Sequence, residues 1–306
     1  MSFDPLPMEA AAGSPSPLSG YLADPNLAVL NGTFILYPTT DGTENWAATS
    51  FSAFSSPDLV RWTDHGVILE LGTQVAWARA AAWAPAISHS SNKYYLYFTA
   101  ESNIGVATAE TPFGPFIDLG RPLVADGQFS GRAIDPSIFV DSDGKTYLYW
   151  GNTEAHVVEL NPDMTSFDES EVVTWTPTEF REAPWVHKRL GIYYLSWSVD
   201  DTRSADYRVR YATGSSPFGP WTDRGILLEK VLDRGILATG HHSIVNVPNT
   251  DDWIIAYHRW AIPNGDGFHR EVSFDRLVYN ADDSIEKVVP SAVPLRVPIR
   301  REGISS

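Results

Sequence analysis

Five short motifs of this 306-residue chain bring chemically capable side chains to matching places: Asp24 in ADPN, Trp83 in WAP, Asp135 in IDPS, Glu182 in EAPW, and His241-His242 in TGHHS. Three carboxylates that converge on one point repel one another, and burial raises their pKa values further. Folding has no use for such a cluster, but acid–base hydrolysis does. That chemistry needs one carboxyl held protonated as the acid and another held ionised as the base. A lone Asp-Pro is ordinarily a turn start in which Asp caps its own backbone. The out-of-phase Asp4-Pro5, and Asp58 and Asp163, are read that way. There is no Cys, which excludes thiol catalysis, a disulfide framework and a Cys-ligated metal.

An internal repeat supplies the elements that must position these residues. Five segments each pair an apolar strand with an aromatic one across a turn. They begin at Asp24, Ala84, Asp135, Ala183 and His241, with turns expected at Asn31-Gly32, Asn92-Lys93, Asp143-Gly144, Leu190-Gly191 and Asp251-Asp252. Pro25, Pro85, Pro136 and Pro184 lie 60, 51 and 48 residues apart, and His242 follows 58 residues later in the matching place. A second signature trails the hairpins: FSSPDLVRWTDHGVIL, ETPFGPFIDLGRPL, a degenerate LNPDMTSF, SSPFGPWTDRGILL, and FDRLVYNADDSIEKV in the fifth unit. About four strands per unit, in five units, predict an all-β, five-bladed β-propeller. The first strand of each blade lines the central channel, so the five motifs form a ring at one mouth. Residues 1–20 read as a linker or strap and residues 21–306 as the single propeller domain, in which 290–306 return toward the ring.

Composition agrees and narrows the partners. Eleven Trp, 13 Tyr and 14 Phe with 22 Gly and 22 Pro suit short strands and turns. Lys and Arg number 22 against 38 Asp and Glu, a net charge of −16, which argues against nucleic acid or an anionic membrane as partner. No stretch is long and apolar enough to cross a bilayer. The opening MSFDPLPMEA has no basic start followed by an apolar run, so no signal peptide is read. A cytoplasmic location is therefore expected, or a secreted one if a leader has been removed.

The order and spacing of ADPN, WAP, IDPS, EAPW and TGHHS resemble glycoside hydrolase family 43, from about Tyr21 to about Pro290. The resemblance implies a five-bladed propeller that hydrolyses arabinan, arabinoxylan or xylan with inversion. It implies Asp24 as general base and Glu182 as general acid, with Asp135 as a third carboxylate that orients the acid and raises its pKa. Inversion places acid and base roughly 6.5–9.5 Å apart. Trp83 is expected to wall the sugar pocket, and Arg259 in AYHRW to bond sugar hydroxyls with its fixed fork, or to lie close to Asp24 and lower its pKa. Asn152 and His242 are expected at the mouth. The resemblance sets His241 against a calcium ion or a water in the channel; imidazole is an unusual calcium ligand, so contact through water is expected. No cofactor is expected for the chemistry.

The run from Thr239 to Asn280, with YHR, a Gly-Asp-Gly loop and HRE, resembles the α-L-arabinofuranosidase branch. The expected substrate is an arabinose-bearing oligosaccharide or polysaccharide cleaved in exo fashion. Endo-arabinanase and β-xylosidase are alternatives within the same chemistry. Two other classes compete. An invertase-like hydrolase would carry a Cys where Ala183 stands. A lectin-like propeller would keep the aromatics but has no need of Asp24, Asp135 and Glu182 together.

Overall fold

The computed structural model of the chain describes residues 7–8 and 16–298. Of the expected strap, residues 1–6 and 9–15 lie outside the described residues, as do 299–306 of the returning segment. Five antiparallel sheets follow one another as the blades of a propeller. Blade I contains β1 (Pro7–Met8), β2 (Leu22–Leu30), β3 (Thr33–Thr40), β4 (Ser50–Ser56) and β5 (Trp62–Glu70). Blade II contains β6 (Trp83–Ser90), β7 (Lys93–Ala100), β8 (Asn103–Ala109) and β9 (Ile117–Asp118). Blade III contains β10 (Ser137–Val140), β11 (Thr146–Trp150), β12 (Ala155–Glu159) and β13 (Val173–Trp175). Blade IV contains β14 (Glu182–Arg189), β15 (Ile192–Val199), β16 (Arg208–Gly214) and β17 (Trp221–Leu228). Blade V contains β18 (Gly240–Asn246), β19 (Trp253–Trp260) and β20 (Arg270–Leu277).

Two expectations are corrected in detail. The fifth signature, FDRLVYNADDSIEKV, ends β20 with its first four residues rather than making a fourth strand, so blade V has three strands among the described residues. Blade I has five, because Pro7–Met8 adds to the edge of β5. In the second hairpin the left-handed turn residues are Ser91 (φ 49°) and Asn92 (φ 62°), one place earlier than Asn92-Lys93. In the fifth, Asn249 (φ 63°) is the left-handed residue, ahead of Asp251-Asp252. Asn31-Gly32 and Leu190-Gly191 both take positive φ, the twist a two-residue hairpin needs.

The aromatic second strands owe their composition to position. Successive side chains leave a strand on opposite faces, and here both faces meet a neighbouring blade. In β7, Tyr94, Leu96 and Phe98 pack toward blade I, while Tyr95 and Tyr97 pack toward blade III. Each of the five apolar clusters thus lies between two blades, and the last joins blade V to blade I through Val272, Phe274, Phe34 and Trp62. The trailing signature has a purpose in the same frame. The buried hydroxyls of Tyr37, Tyr97 and Tyr149 each donate to a carbonyl of the next blade's signature: Pro112 (2.7 Å), Met164 (2.6 Å) and Pro217 (2.6 Å). A buried phenol needs such a partner.

Candidate active site

The site is built by one backbone device repeated five times. Asp24, Ala84, Asp135, Ala183 and His241 all take left-handed φ, between 41° and 59°. Bulges interrupt the register beside four of them, at Ala23/Asn26, Trp83/Ala86, Glu182/Trp185 and Gly240/His242. Such bulges re-aim side chains at functional rims. The left-handed residue turns its N–H out of its own sheet, so that donor needs a partner elsewhere. The preceding blade supplies it. Thr39 Oγ1 accepts from Ala84, Thr99 Oγ1 from Asp135, Ser198 Oγ from His241, and His258 Nδ1 from Asp24. In the third blade the equivalent residue is Gly151, which has no side chain; there the carboxylate of Asp135 itself accepts from the Ala183 N–H. Two adjacent positions then deliver the site. The left-handed one gives Asp24, Asp135 and His241, and the one before it gives Trp83 and Glu182.

These five residues line one pocket of about 130 Å³ with Trp46, Arg132, Arg181, Asp201, Arg203 and Arg270 among its walls. Asp24 is 7 % and Asp135 6 % exposed. Burial alone would raise the Asp24 pKa, but His241, Arg270 and His258 together hold it well below the ordinary carboxylate value. Arg270 Nη1 lies 3.1 Å from Asp24 Oδ1, and His241 Nδ1 lies 3.2 Å from the same oxygen. Burial pushes the His241 pKa down, so near neutral pH the permanent cation Arg270 is the charge that keeps Asp24 ionised. Arg270 is fixed in turn by Asp41, through Nε (2.8 Å) and Nη2 (3.1 Å). His258 Nδ1 lies 3.2 Å from the Asp24 N–H and 3.1 Å from its Oδ1. Burial lowers its pKa to about 4, so the ring is neutral at pH 7 and the backbone N–H takes the Nδ1 lone pair.

Asp135 and Glu182 behave oppositely. Burial pushes Asp135 well above the ordinary value, and the charges of Glu182 and Asp24 add to it, against Arg132 and the Ala183 N–H. Burial also raises Glu182, with Asp24 and Asp201 adding, against the Tyr207 hydroxyl and Arg181. The two titrate as a pair. Glu182 Oε1 accepts from Tyr207 Oη (2.9 Å) and Oε2 from Asn152 Nδ2 (2.8 Å). These donors favour its ionised form, which is why the upward push is the stronger on Asp135.

Four of the remaining expectations are relocated. Arg259 does not reach the pocket. It is fully buried, bonded through Nε to Glu271 (2.9 Å) and through Nη1 to the Ser291 carbonyl (2.7 Å). Its neighbour His258 faces Asp24, so strand alternation turns Arg259 the other way. Arg270 stands where Arg259 was expected, at the start of β20 in the HRE run. Asn152 grips Glu182 instead of lining the pocket. His242 lies beneath it, bonded to Ser196 Oγ (2.6 Å), its pKa lowered to about 3 by burial, beside a cavity of about 20 Å³ walled by the four repeat prolines. His241 turns its Nδ1 to Asp24 and, at 3.9 Å, Asp135. Among the described residues no three His, Asp or Glu side chains form a group that could hold a metal. In the lower cavity Asn26 Oδ1 accepts from Ile87 and Ser137 Oγ donates to the Pro184 carbonyl. The donor set therefore does not fit a calcium ion held directly by side chains. Tyr207, Asp41, His258 and Trp46 were not singled out by sequence.

Trp83 is half-buried, and its Nε1 donates to the Trp46 carbonyl (2.7 Å). Trp46 Nε1 in turn bonds the Gly267 carbonyl (2.8 Å), and its ring meets Phe268 at 4.5 Å. The Gly-Asp-Gly loop thus props one aromatic wall.

A buried carboxylate held ionised, facing a buried carboxyl pair pushed toward protonation, beside indole walls, on the axis of a five-bladed propeller, defines the class: a glycoside hydrolase. The family pattern described as "Glycosyl hydrolases family 43" matches residues 15–285, and the chain belongs to that family. It is 37 % identical over 287 residues to a β-D-galactofuranosidase of Aspergillus niger, covering 88 % of this chain and 82 % of that protein. It is 34 % identical to an arabinoxylan arabinofuranohydrolase of Bacillus subtilis, covering 87 % of this chain and 62 % of the relative. A solved family 43 arabinoxylan arabinofuranohydrolase from Bacillus subtilis, in complex with cellotetraose, superposes with TM-score 0.81 at 31 % identity over 94 % of this chain and 70 % of that one. A β-xylosidase/α-arabinofuranosidase from a compost metagenome, in complex with xylotriose, gives TM-score 0.78 at 29 % identity over 92 % and 98 %.

Proposed function

We propose that the protein is an inverting exo-α-L-arabinofuranosidase acting on arabinose-bearing oligosaccharides or polysaccharides. The observation that carries this is the electrostatic split of the pocket: Asp24 held ionised against Arg270, and Asp135 with Glu182 raised together. Asp24 takes a proton from water as that water attacks the anomeric carbon. Glu182 gives its proton to the glycosidic oxygen as the bond breaks. Asp135 and Glu182, raised together, hold a proton between them near neutral pH for Glu182 to deliver, and Tyr207 and Asn152 aim Glu182. The channel histidines have roles in shaping Asp24 and the floor, and no metal takes part in the steps.

Support for the sugar comes from relatives named for furanoside hydrolysis. The β-D-galactofuranosidase relative supports a second reading. β-D-Galactofuranose shares its ring configuration with α-L-arabinofuranose and adds one exocyclic carbon, so the same pocket chemistry serves both. The test is proton NMR of the first minutes of hydrolysis of aryl α-L-arabinofuranoside, aryl β-D-galactofuranoside and aryl β-D-xyloside. Arabinose appearing first as the β-anomer is the expected result. Galactose or xylose in its place moves the specificity and keeps the mechanism. A retained anomer removes Asp24 from the base role.

A further inference from the structure

Three arginines crowd the mouth of this pocket in a protein of net charge −16. Arg132, Arg181 and Arg203 stand there with one rim carboxylate, Asp201. Arg203 grips Asp201 with Nε (2.7 Å) and Nη2 (2.8 Å), and Arg181 reaches the same carboxylate at 3.2 Å. Arg132 is exposed and donates to Ser102 Oγ (2.8 Å). Among the described residues it has no carboxylate within the 4.0 Å of an ion pair. Arg203 and Arg181 are thus each in ion-pair range of a carboxylate, and Arg132 is the rim guanidinium that is not.

Two of the three lie on one side. Arg181 Nε is 3.8 Å from Glu182 Oε2 and is buried without a hydrogen-bond partner. The backbone N–H of Arg132 bonds the carbonyl of Asn152 (3.4 Å), the residue whose side chain grips Glu182. Both arginines therefore flank the carboxyl that faces the departing group. Two of the rim guanidiniums also lie within cation–π range of an indole. Arg132 lies over the Trp83 ring at 5.8 Å and Arg203 over Trp46 at 5.5 Å, and the two indoles are tied by the Trp83–Trp46 hydrogen bond. Arg132 spends one Nη on Ser102 and keeps further N–H donors for a carboxylate. Neutral hydroxyls need donors but no unpaired guanidinium. An anionic glycan, repelled by the −16 field at a distance, needs a local cationic rim to dock.

We infer that the leaving-group side of the pocket is a subsite for a uronosyl residue, with Arg132 as its principal contact and Arg181 beside it. The enzyme then prefers glycans that carry a carboxylate-bearing sugar next to the residue it removes. The place of the leaving group rests on the reading of Glu182 given above, but recognition of the carboxylate can be measured without turnover. The experiment is calorimetric titration of the full chain, at low ionic strength, with glucuronosyl-xylose and with xylobiose. Glucuronosyl-xylose should bind at least about tenfold more tightly, and the difference should shrink as salt is raised. Arg132→Gln should remove most of the preference, and Arg132→Lys, which keeps the charge and loses the fork, should retain part of it. The Arg132 side chain is exposed, so an unchanged melting temperature should accompany both variants. Equal affinity for the two sugars, no binding of either, or a preference that survives Arg132→Gln overturns the inference. Failure to cleave an arabinofuranoside while the binding preference stands removes the proposed sugar and leaves the subsite.

Discussion

Asp135 is the residue at which stability and function pull apart. Its carboxyl is buried between Glu182 and Asp24 and is pushed well above its ordinary pKa. A carboxyl whose folded pKa is raised contributes stability below its unfolded pKa, and that contribution is lost as pH rises through the folded value. Asp135→Asn should therefore raise the melting temperature at neutral and alkaline pH, with a gain that grows with pH and vanishes below the ordinary carboxylate range. Asn can still accept from the Ala183 N–H, so the fold loses no bond. Activity should fall by a factor on the order of a hundred or more, because Glu182 loses the carboxyl partner with which it holds a proton. Melting curves from pH 4 to pH 9 (about the span of carboxylate titration) check it; a gain independent of pH would mean that the strain is steric. The three carboxylates were legible from the chain because each sits in phase with a repeat, where a turn former alone would have sufficed. Arg270 was not. Arg259 and Arg270 both follow aromatic or histidine-rich runs, and only the phase of β19 beside the β18 bulge tells which of them faces Asp24.

At the scale of the element, the repeated left-handed residue is the device that aims the site. It is glycine in none of the five blades, although a residue with a Cβ pays roughly 1–3 kcal/mol for such a conformation. Proline follows it in four, and a residue before proline is steered away from the right-handed helical region. The repeated Pro was readable; the left-handed turn before it was not, because Asp-Pro and Ala-Pro are equally at home in extended backbone. Nor could the sequence show that the bulge of blade V closes one residue sooner, pairing His242 with Tyr257 and withdrawing it from the mouth. Ala183 is 4 % exposed at φ 56°. A β-branched side chain there is a strong outlier, so Ala183→Val should cost about 2 kcal/mol of stability. Glu182, the preceding residue, would be displaced with it, so kcat should fall more than KM changes. Ala84→Val, at φ 44° beside Trp83, should cost as much stability but act mainly on KM. Denaturant midpoints and steady-state kinetics separate the two; a Val variant as stable as the parent would show that the backbone there is relaxed.

A ring of five blades has no edge only if its last interface is as well made as the others. Here that interface, between blades V and I, draws on the segment that follows blade V. Val297 is buried with Leu18, Phe34 and Phe274, and Leu295 packs on the same cluster. The Val297 N–H donates to the Asp58 carbonyl (3.1 Å). Ser291 gives its carbonyl to the buried Arg259 and its N–H to Asp275 (3.1 Å). A return of 290–306 toward the ring was an expectation; the described part, to residue 298, binds through the Ser291 carbonyl and N–H, the Val297 N–H and two apolar side chains, and Asp58, Leu18 and Phe34 among its partners lie more than 200 residues away, which no local pattern reveals. Arg259 gains its meaning at this scale: paired with Glu271 and capped by Ser291, it ties the closing segment to β19 and β20. Ending the chain after Val289 should leave a buried guanidinium without its acceptor, at about 1–3 kcal/mol, and expose the apolar surface that Val297 and Leu295 cover, at about 1.5–3 kcal/mol for each side chain fully buried. A fall in melting temperature on the order of 10 °C follows. The pocket residues lie in the blades themselves, so the truncated protein should keep its kcat at temperatures well below the new midpoint. Calorimetry and kinetics on the two chains check both halves of that statement. An unchanged midpoint would place closure in the blade I and blade V strands alone, and a lost kcat with the fold intact would mean that the closing segment also sets the position of Arg270 through β20.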